Sequence, residues 1–188
     1  MSCADVLPRP TLLAGKLPDW RRVLAKHYAA LSRKSRQRRF MASLPDHAIR
    51  MIADRASPDI VLGIEDEGRV VGVLEIFRGT DGHAEIGISV EDAYQGHGYG
   101  RALFLDGLAA AERLGVRTAD LYFSCENSGI RKLVAAADGE VVRTGAECEA
   151  HIDISHCASC PHLASEVPDT AMSPRPVPVS RRLDDVRS

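Results

Sequence analysis

Apolar residues recur along this chain at two alternating periods, and the switches between them outline its elements. Between Asp19 and Leu31, the residues Trp20, Leu24, Tyr28 and Leu31 fall three or four apart, the spacing of one helix face. Ser32 to Ala53 continues in helical style, with Phe40, Met41 and Ile49 as core candidates, and Pro45 breaks it because proline removes a backbone donor. The period then shortens to that of strands. Ile60 to Glu65 and Arg69 to Phe77 are strand-like runs separated by Asp66-Glu67-Gly68, a hairpin signal. A second turn, Arg78-Gly79-Thr80-Asp81-Gly82, leads into Ala84 to Val90, where the alternation is clearest. Ala84, Ile86, Ile88 and Val90 share one face of that strand, while Glu85, Gly87 and Ser89 share the other.

The next segment obeys neither period. Gln95-Gly96-His97-Gly98-Tyr99-Gly100-Arg101 places three glycines in five positions and opens a helix predicted from about Gly98 to Leu114. Leu103, Phe104, Leu108, Ala111 and Leu114 face inward along it, and Gly115 is suited to cap its end. Leu121 to Cys125 reads as a strand, Ser128 to Ala137 as a short helix and Asp138-Gly139 as a turn. Glu140 to Arg143 and Glu147 to Ile154 complete a hairpin. From residue 156 the pattern stops: five of the ten prolines fall at or beyond Pro161, and the composition predicts a disordered tail over residues 156–188.

Composition narrows the classes. A chain of 188 residues, 45% apolar and 27% charged, suits one globular domain, expected over residues 10–155. The formal net charge of −2 supplies no global attraction to nucleic acid or an anionic membrane, and neither is expected as a partner. The chain contains no apolar run of about 18 residues, so no membrane span is expected. The beginning MSCADVLPRP lacks a basic region followed by an apolar stretch, so secretion is not expected. Five cysteines, an odd number without a repeating framework, are expected to be reduced thiols, and the expected location is the cytoplasm.

The glycine turn carries the chemistry. Glycines let the backbone turn tightly and approach a ligand, and the helix behind them directs its opening amides and positive dipole end at the same spot. That arrangement holds a phosphate or pyrophosphate without a cationic side chain. A dinucleotide-binding turn competes, because Asp120 lies about twenty residues further on, where a ribose-binding acid belongs. It fails because Arg101 occupies the last glycine position of that motif and Asp120 precedes its predicted strand. A nucleotide P-loop fails for want of Gly-Lys-Ser/Thr.

An antiparallel meander, a glycine turn into a helix, then strand, helix and hairpin resembles the GCN5-related N-acetyltransferase (GNAT) family. The resemblance rests on Gln95-x-x-Gly98-x-Gly100, which matches the family's acyl-CoA pyrophosphate signature, and on the strand before it. It continues into Leu121 to Asn127. Leu31-Ser32-x-x-Ser35-x-x-x-Arg39-Phe40 and Ala84-Glu85-Ile86 look most like the bacterial protein-lysine acetyltransferase branch. The resemblance implies an α/β (α+β) fold with a mixed, mainly antiparallel sheet of six or seven strands flanked by helices. It also implies acetyl-CoA as co-substrate, held by Gln95, Gly96, His97, Gly98, Tyr99, Gly100 and Arg101 at the pyrophosphate. Ile88, Ser89 and Val90 would lie along the pantetheine arm, and Asn127 would meet that arm or the thioester. No metal is implied.

The implied reaction is direct acetyl transfer to an amine, a protein lysine or else a small molecule. An alkylammonium is neutral only about one part in 2,500 at pH 7, so freeing its lone pair costs roughly 4.6 kcal/mol. A general base removes that obstacle, and Glu85, beside Gly87 and Ser89 where space is expected for substrate, is the candidate. Many family members carry a tyrosine that protonates the departing thiolate; the matching position here is Val134. That loss keeps a non-catalytic acyl-CoA-binding regulator as the alternative, with a nicotinamide oxidoreductase further behind. A homodimer is compatible with either.

Other features have plainer readings. Arg33, Lys34, Arg36, Arg38 and Arg39 are expected to be a solvated helix face, with contact to an acidic substrate or cofactor phosphates as the alternative. His156-Cys157-x-x-Cys160-x-His162 crowds four metal-binding side chains into seven residues without a second half and is not read as a zinc site. Cys125 is expected to be a small buried hydrophobe. Asn127 could equally be a strand-end turn residue, and Glu85 a strand residue engaged in a salt bridge.

Overall fold

In the computed structural model, residues 9–13 and 19–155 are described, and the predicted Pro-rich tail and the His156–His162 cluster lie outside them. The elements are β1 (Thr11–Leu12), α1 (Trp20–Ala30), α2 (Arg33–Phe40), α3 (Asp46–Arg55), β2 (Ile60–Asp66), β3 (Arg69–Arg78) and β4 (His83–Val90). A short 3-10 turn at Asp92–Tyr94 follows, then α4 (Tyr99–Arg113), β5 (Thr118–Ser124), α5 (Ser128–Ala136), β6 (Glu140–Thr144) and β7 (Glu147–Asp153). The seven strands form one sheet in the order β1-β2-β3-β4-β5-β7-β6, and every neighbouring pair is antiparallel except β4 with β5. The expected mixed, mainly antiparallel sheet is therefore present.

The expected elements form, with shifts at their edges. The helical stretch after Ser32 breaks at Met41, in the left-handed region at φ 54°, four residues before the proline. Ser32 caps the start of α2 by accepting from Ser35 N–H. The hairpin between β2 and β3 turns on Glu67 and Gly68, both at positive φ. β5 starts at Thr118, three residues earlier than the apolar pattern indicated, because Thr118 and Asp120 face away from the core. The two-residue β1 has no sequence signal of its own.

Two apolar layers sandwich the sheet. α4 covers one face, with Leu103, Phe104 and Leu108 packed against the strand residues Leu62, Leu74, Ile76 and Ile86. α1 and α3 cover part of the other face, with Leu24, Tyr28, Ile49 and Ala53 against Val61, Val73 and Phe77. The alternation in β3 is therefore apolar on both sides, as expected for a strand covered twice.

The cysteine expectation needs correction. Cys125 and Cys148 form a disulfide, their Cα atoms 5.3 Å apart. Cys148 lies opposite Phe123 in the β5–β7 pair, and Cys125 N–H continues that ladder to the Ala146 carbonyl. Adjacent strands thus bring together two thiols that are 23 residues apart in sequence.

Candidate active site

β4 and β5 pair at three positions, His83 with Thr118, Ala84 with Ala119 and Glu85 with Asp120, and then separate. Beyond Glu85, β4 stays with β3 as far as Val90, while β5 stays with β7 as far as Ser124. The two halves of the sheet therefore diverge and leave a cavity of about 510 Å³. Its walls include Glu85 to Val90 from β4, Leu121 to Phe123 from β5, the glycine turn, Asn127 to Ile130 at the start of α5, and the end of α2.

The open edge of β4 presents main-chain groups. Glu91 N–H donates to Val71 O on the β3 side, so the Val90 carbonyl points the other way. Alternation then turns the polar groups of Ile88 and Val90 toward the cavity. The Val90 carbonyl accepts from Gln95 Nε2 at 2.9 Å, and the same amide donates to Ser35 Oγ at 3.2 Å. Gln95 thus fastens the turn to the strand end and to α2. Gly96 and Gly98 stand at φ 83° and 90°, and no side chain caps α4. Its opening amides have no carbonyl one turn back, and they lie where the cavity reaches Gly98, Gly100 and Arg101.

Asp92 explains the serines of the Leu31–Phe40 stretch. Its carboxylate accepts from Ser32 N–H at 2.9 Å, Ser32 Oγ at 2.7 Å and Ser35 Oγ at 2.8 Å. Burial pushes its pKa up, but those bonds outweigh it and hold the group below its ordinary value. The start of α2 is therefore tied to the residues that lead into the glycine turn.

The second face of β4 differs from expectation. The space beside Gly87 is filled: a Cβ there would collide with the Arg39 guanidinium. Arg39, expected on a solvated face, is a buried ion-pair partner of Glu75, with Nη2 to Oε2 at 2.6 Å. Tyr28 hydroxyl donates to the same Glu75 oxygen. Burial and then the Glu75 carboxylate push the Tyr28 pKa well above its ordinary value, so it stays a donor. The Glu75 carboxylate in turn holds the Arg39 pKa up against its burial. Ser89, two residues on, meets His27 Nε2 at 2.9 Å. Burial, then Arg39 and Arg69, lower the His27 pKa to about 3, so that imidazole is neutral.

Glu85 stands half-buried at the narrow end of the wedge, in the cavity wall and on the same face as Gly87. Arg39 feels its charge from the next position of that face. Asn127 lines the cavity and also caps α5, accepting from Ile130 N–H at 3.3 Å, in keeping with its reading as a strand-end turn residue. His97 and Tyr99 belong to the turn but are not in the cavity wall; Tyr99 is buried, and its hydroxyl donates to Asp66 at 3.2 Å. Val134 is fully buried in the core. Tyr122 lines the cavity, and burial, then Glu149, raise its pKa. Asp120 bridges His83 Nδ1 at 2.9 Å and His151 Nδ1 at 2.7 Å, which removes it as a ribose-binding acid. Among the described residues, no group of three His, Cys, Asp or Glu is arranged to hold a metal ion.

Sequence reasoning missed the pairing of Glu75 with Tyr28 and Arg39. One signal was available: a single carboxylate inside the apolar run Val70 to Phe77 has to find a buried partner.

Residues 24–135 match the Acetyltransferase (GNAT) family. The chain belongs to that family. Its members are N-acetyltransferases that use acetyl-CoA. Among solved structures, the chain is similar to the GNAT domain of S. lividans PAT, with 21% identity, a TM-score of 0.63, and 77% of this chain and 89% of that one covered. It is also similar to a Bacillus subtilis acetyltransferase in complex with CoA, at 14% identity and a TM-score of 0.52 over 78% of this chain and 98% of that one. A third is the ribosomal-protein-S18-alanine N-acetyltransferase of Escherichia coli, at 16% identity and a TM-score of 0.56 over 78% and 94%. Comparison with curated proteins gave no sequence match.

Proposed function

We propose that this acetyltransferase modifies a primary amine, with a protein lysine ahead of a small-molecule amine, and that residues 10–155 form the catalytic domain. The observation that carries the reading is the wedge itself, with uncapped helix amides at its wide end and Glu85 at its narrow end. The pyrophosphate of acetyl-CoA would rest on the amides from Gly96 to Arg101, where dipole and donors favour an anion. Its pantetheine arm would run along Ile88 to Val90 as an added strand, using the edge that β5 leaves open. That path ends the thioester beside Glu85.

Glu85 then takes a proton from the acceptor ammonium, directly or through a water, and the freed nitrogen attacks the thioester carbonyl carbon. The carbon–sulfur bond breaks, the electron pair leaves with sulfur, and the second proton shed by the attacking nitrogen passes to water or to that sulfur. A thiolate with a thiol pKa near 8.5, by analogy with cysteine, departs without a dedicated acid, which suits the apolar Val134. The motif from Leu31 to Phe40 supports the lysine branch, since its Ser35, Arg39 and Phe40 belong to the wall against which an acceptor would lie.

The test is thiol release from acetyl-CoA with lysine peptides, polyamines and amino-acid amines, alongside melting curves with acetyl-CoA. Thiol release with at least one amine and a raised melting temperature are expected. A raised melting temperature with no thiol release from any amine would reject amine acetylation.

A further inference from the structure

The cavity wall opposite the glycine turn is partly α2, whose eight residues RKSRQRRF include five cations. Their surroundings divide them. Arg36 is engaged by the Leu31 and Ala29 carbonyls and by Asp46. Arg39 is clamped by Glu75. Arg33 and Lys34 are exposed and do not line the cavity. Arg38 does line it, is half-buried, and has no hydrogen-bond or ion-pair partner among the described residues.

A guanidinium stays charged at any physiological pH and presents a fork of donors matched to a carboxylate. Half-buried without a counter-ion among the described residues, Arg38 leaves positive charge in the wall of the chamber that also holds Glu85. Of the other cations of the wall, Arg39 is held by Glu75, Arg101 stands on α4 beside the proposed pyrophosphate position, and Lys132 stands on α5. An acceptor with its amine at Glu85 therefore meets an uncompensated cation on the α2 side. A polyamine would bring a second ammonium toward it and be repelled. An acceptor carrying a carboxylate would supply the missing counter-ion.

We propose that Arg38 is a specificity determinant that selects an amine acceptor bearing a nearby carboxylate. This rests on the acetyl-transfer reading above, with Glu85 at the amine. The same chemistry comes from a free amino acid or from an acidic side chain flanking a lysine in a protein.

The experiment measures thiol release by the full chain at saturating acetyl-CoA with matched acceptors. One pair is lysine and its decarboxylated counterpart cadaverine; the other is a lysine peptide flanked by glutamates and the same peptide flanked by lysines. In each pair a source can use, the carboxylated member should show kcat/KM roughly tenfold higher or more, the range of a charged hydrogen bond. The pair that responds identifies the source. Arg38→Ala should reduce that ratio roughly tenfold, Arg38→Glu should reverse it, and Arg38→Lys should keep part of it. Thiol release with equal kcat/KM across both pairs, or a ratio unchanged in Arg38→Ala and Arg38→Glu, overturns the proposal and leaves the acetyl-transfer reading standing. No thiol release from any acceptor overturns both.

Discussion

Gly87 and Arg39 show how much one position in β4 controls. Arg39 lies over the strand because residue 87 has no side chain, and it stays there because Glu75 and Tyr28 hold it from below. Its charge borders Glu85, whose role makes a direct prediction. Glu85→Gln should lower the rate of amine acetylation by roughly 100- to 10,000-fold, the range for a lost general base, with acetyl-CoA affinity nearly intact. Equal turnover in the two proteins would remove Glu85 from the mechanism. His27 makes a different one. Its folded pKa of about 3 lies below its ordinary 6.5, so below pH 6.5 the unfolded chain binds a proton that the native state refuses. Its contribution to stability is whole above pH 6.5 and is lost as pH falls toward 3, at up to roughly 1.4 kcal/mol per pH unit. Denaturant midpoints of wild type and His27→Gln between pH 7 and 5 should show a shallower slope in the variant.

At the scale of elements, the glycine turn is a junction of three parts. Gln95 ties it to the end of β4 and to α2, while Asp92 ties the preceding turn to Ser32 and Ser35. The open amides of α4 therefore sit on a braced frame. Gly98, at φ 90°, is in a conformation that other residues adopt only with strain. Gly98→Glu should abolish the rise in melting temperature given by acetyl-CoA, because it puts bulk and negative charge beside the proposed pyrophosphate position. An undiminished rise would separate the turn from carrier binding. The Gln-x-x-Gly-x-Gly spacing made this turn readable in the sequence, and the left-handed backbone at Gly98 is a local demand for glycine. The brace was not readable, because its partners, Ser35 with Gln95 and Ser32 with Asp92, are 60 residues apart.

For the whole molecule, the divergence of β4 from β5 divides the sheet, and the Cys125–Cys148 bridge ties β5 to β7 at the edge of the second half. Reduction with dithiothreitol should destabilise the protein by roughly 2–4 kcal/mol, read as a lower denaturant midpoint. An unchanged midpoint would remove the bridge from the stability of the fold. The sequence by itself determined the strands other than β1, the helices, the glycine turn and the faces of β4, because these follow from residues close together in the chain. Tertiary structure alone decided that a five-cation stretch splits into one buried ion pair, one helix clasp, two exposed residues and one wall residue without a partner among the described residues. It also decided that two cysteines meet and that Asp120 is held between two histidines. Those outcomes depend on which distant surfaces are brought together, and side-chain burial and charge pairing arise there rather than along the chain.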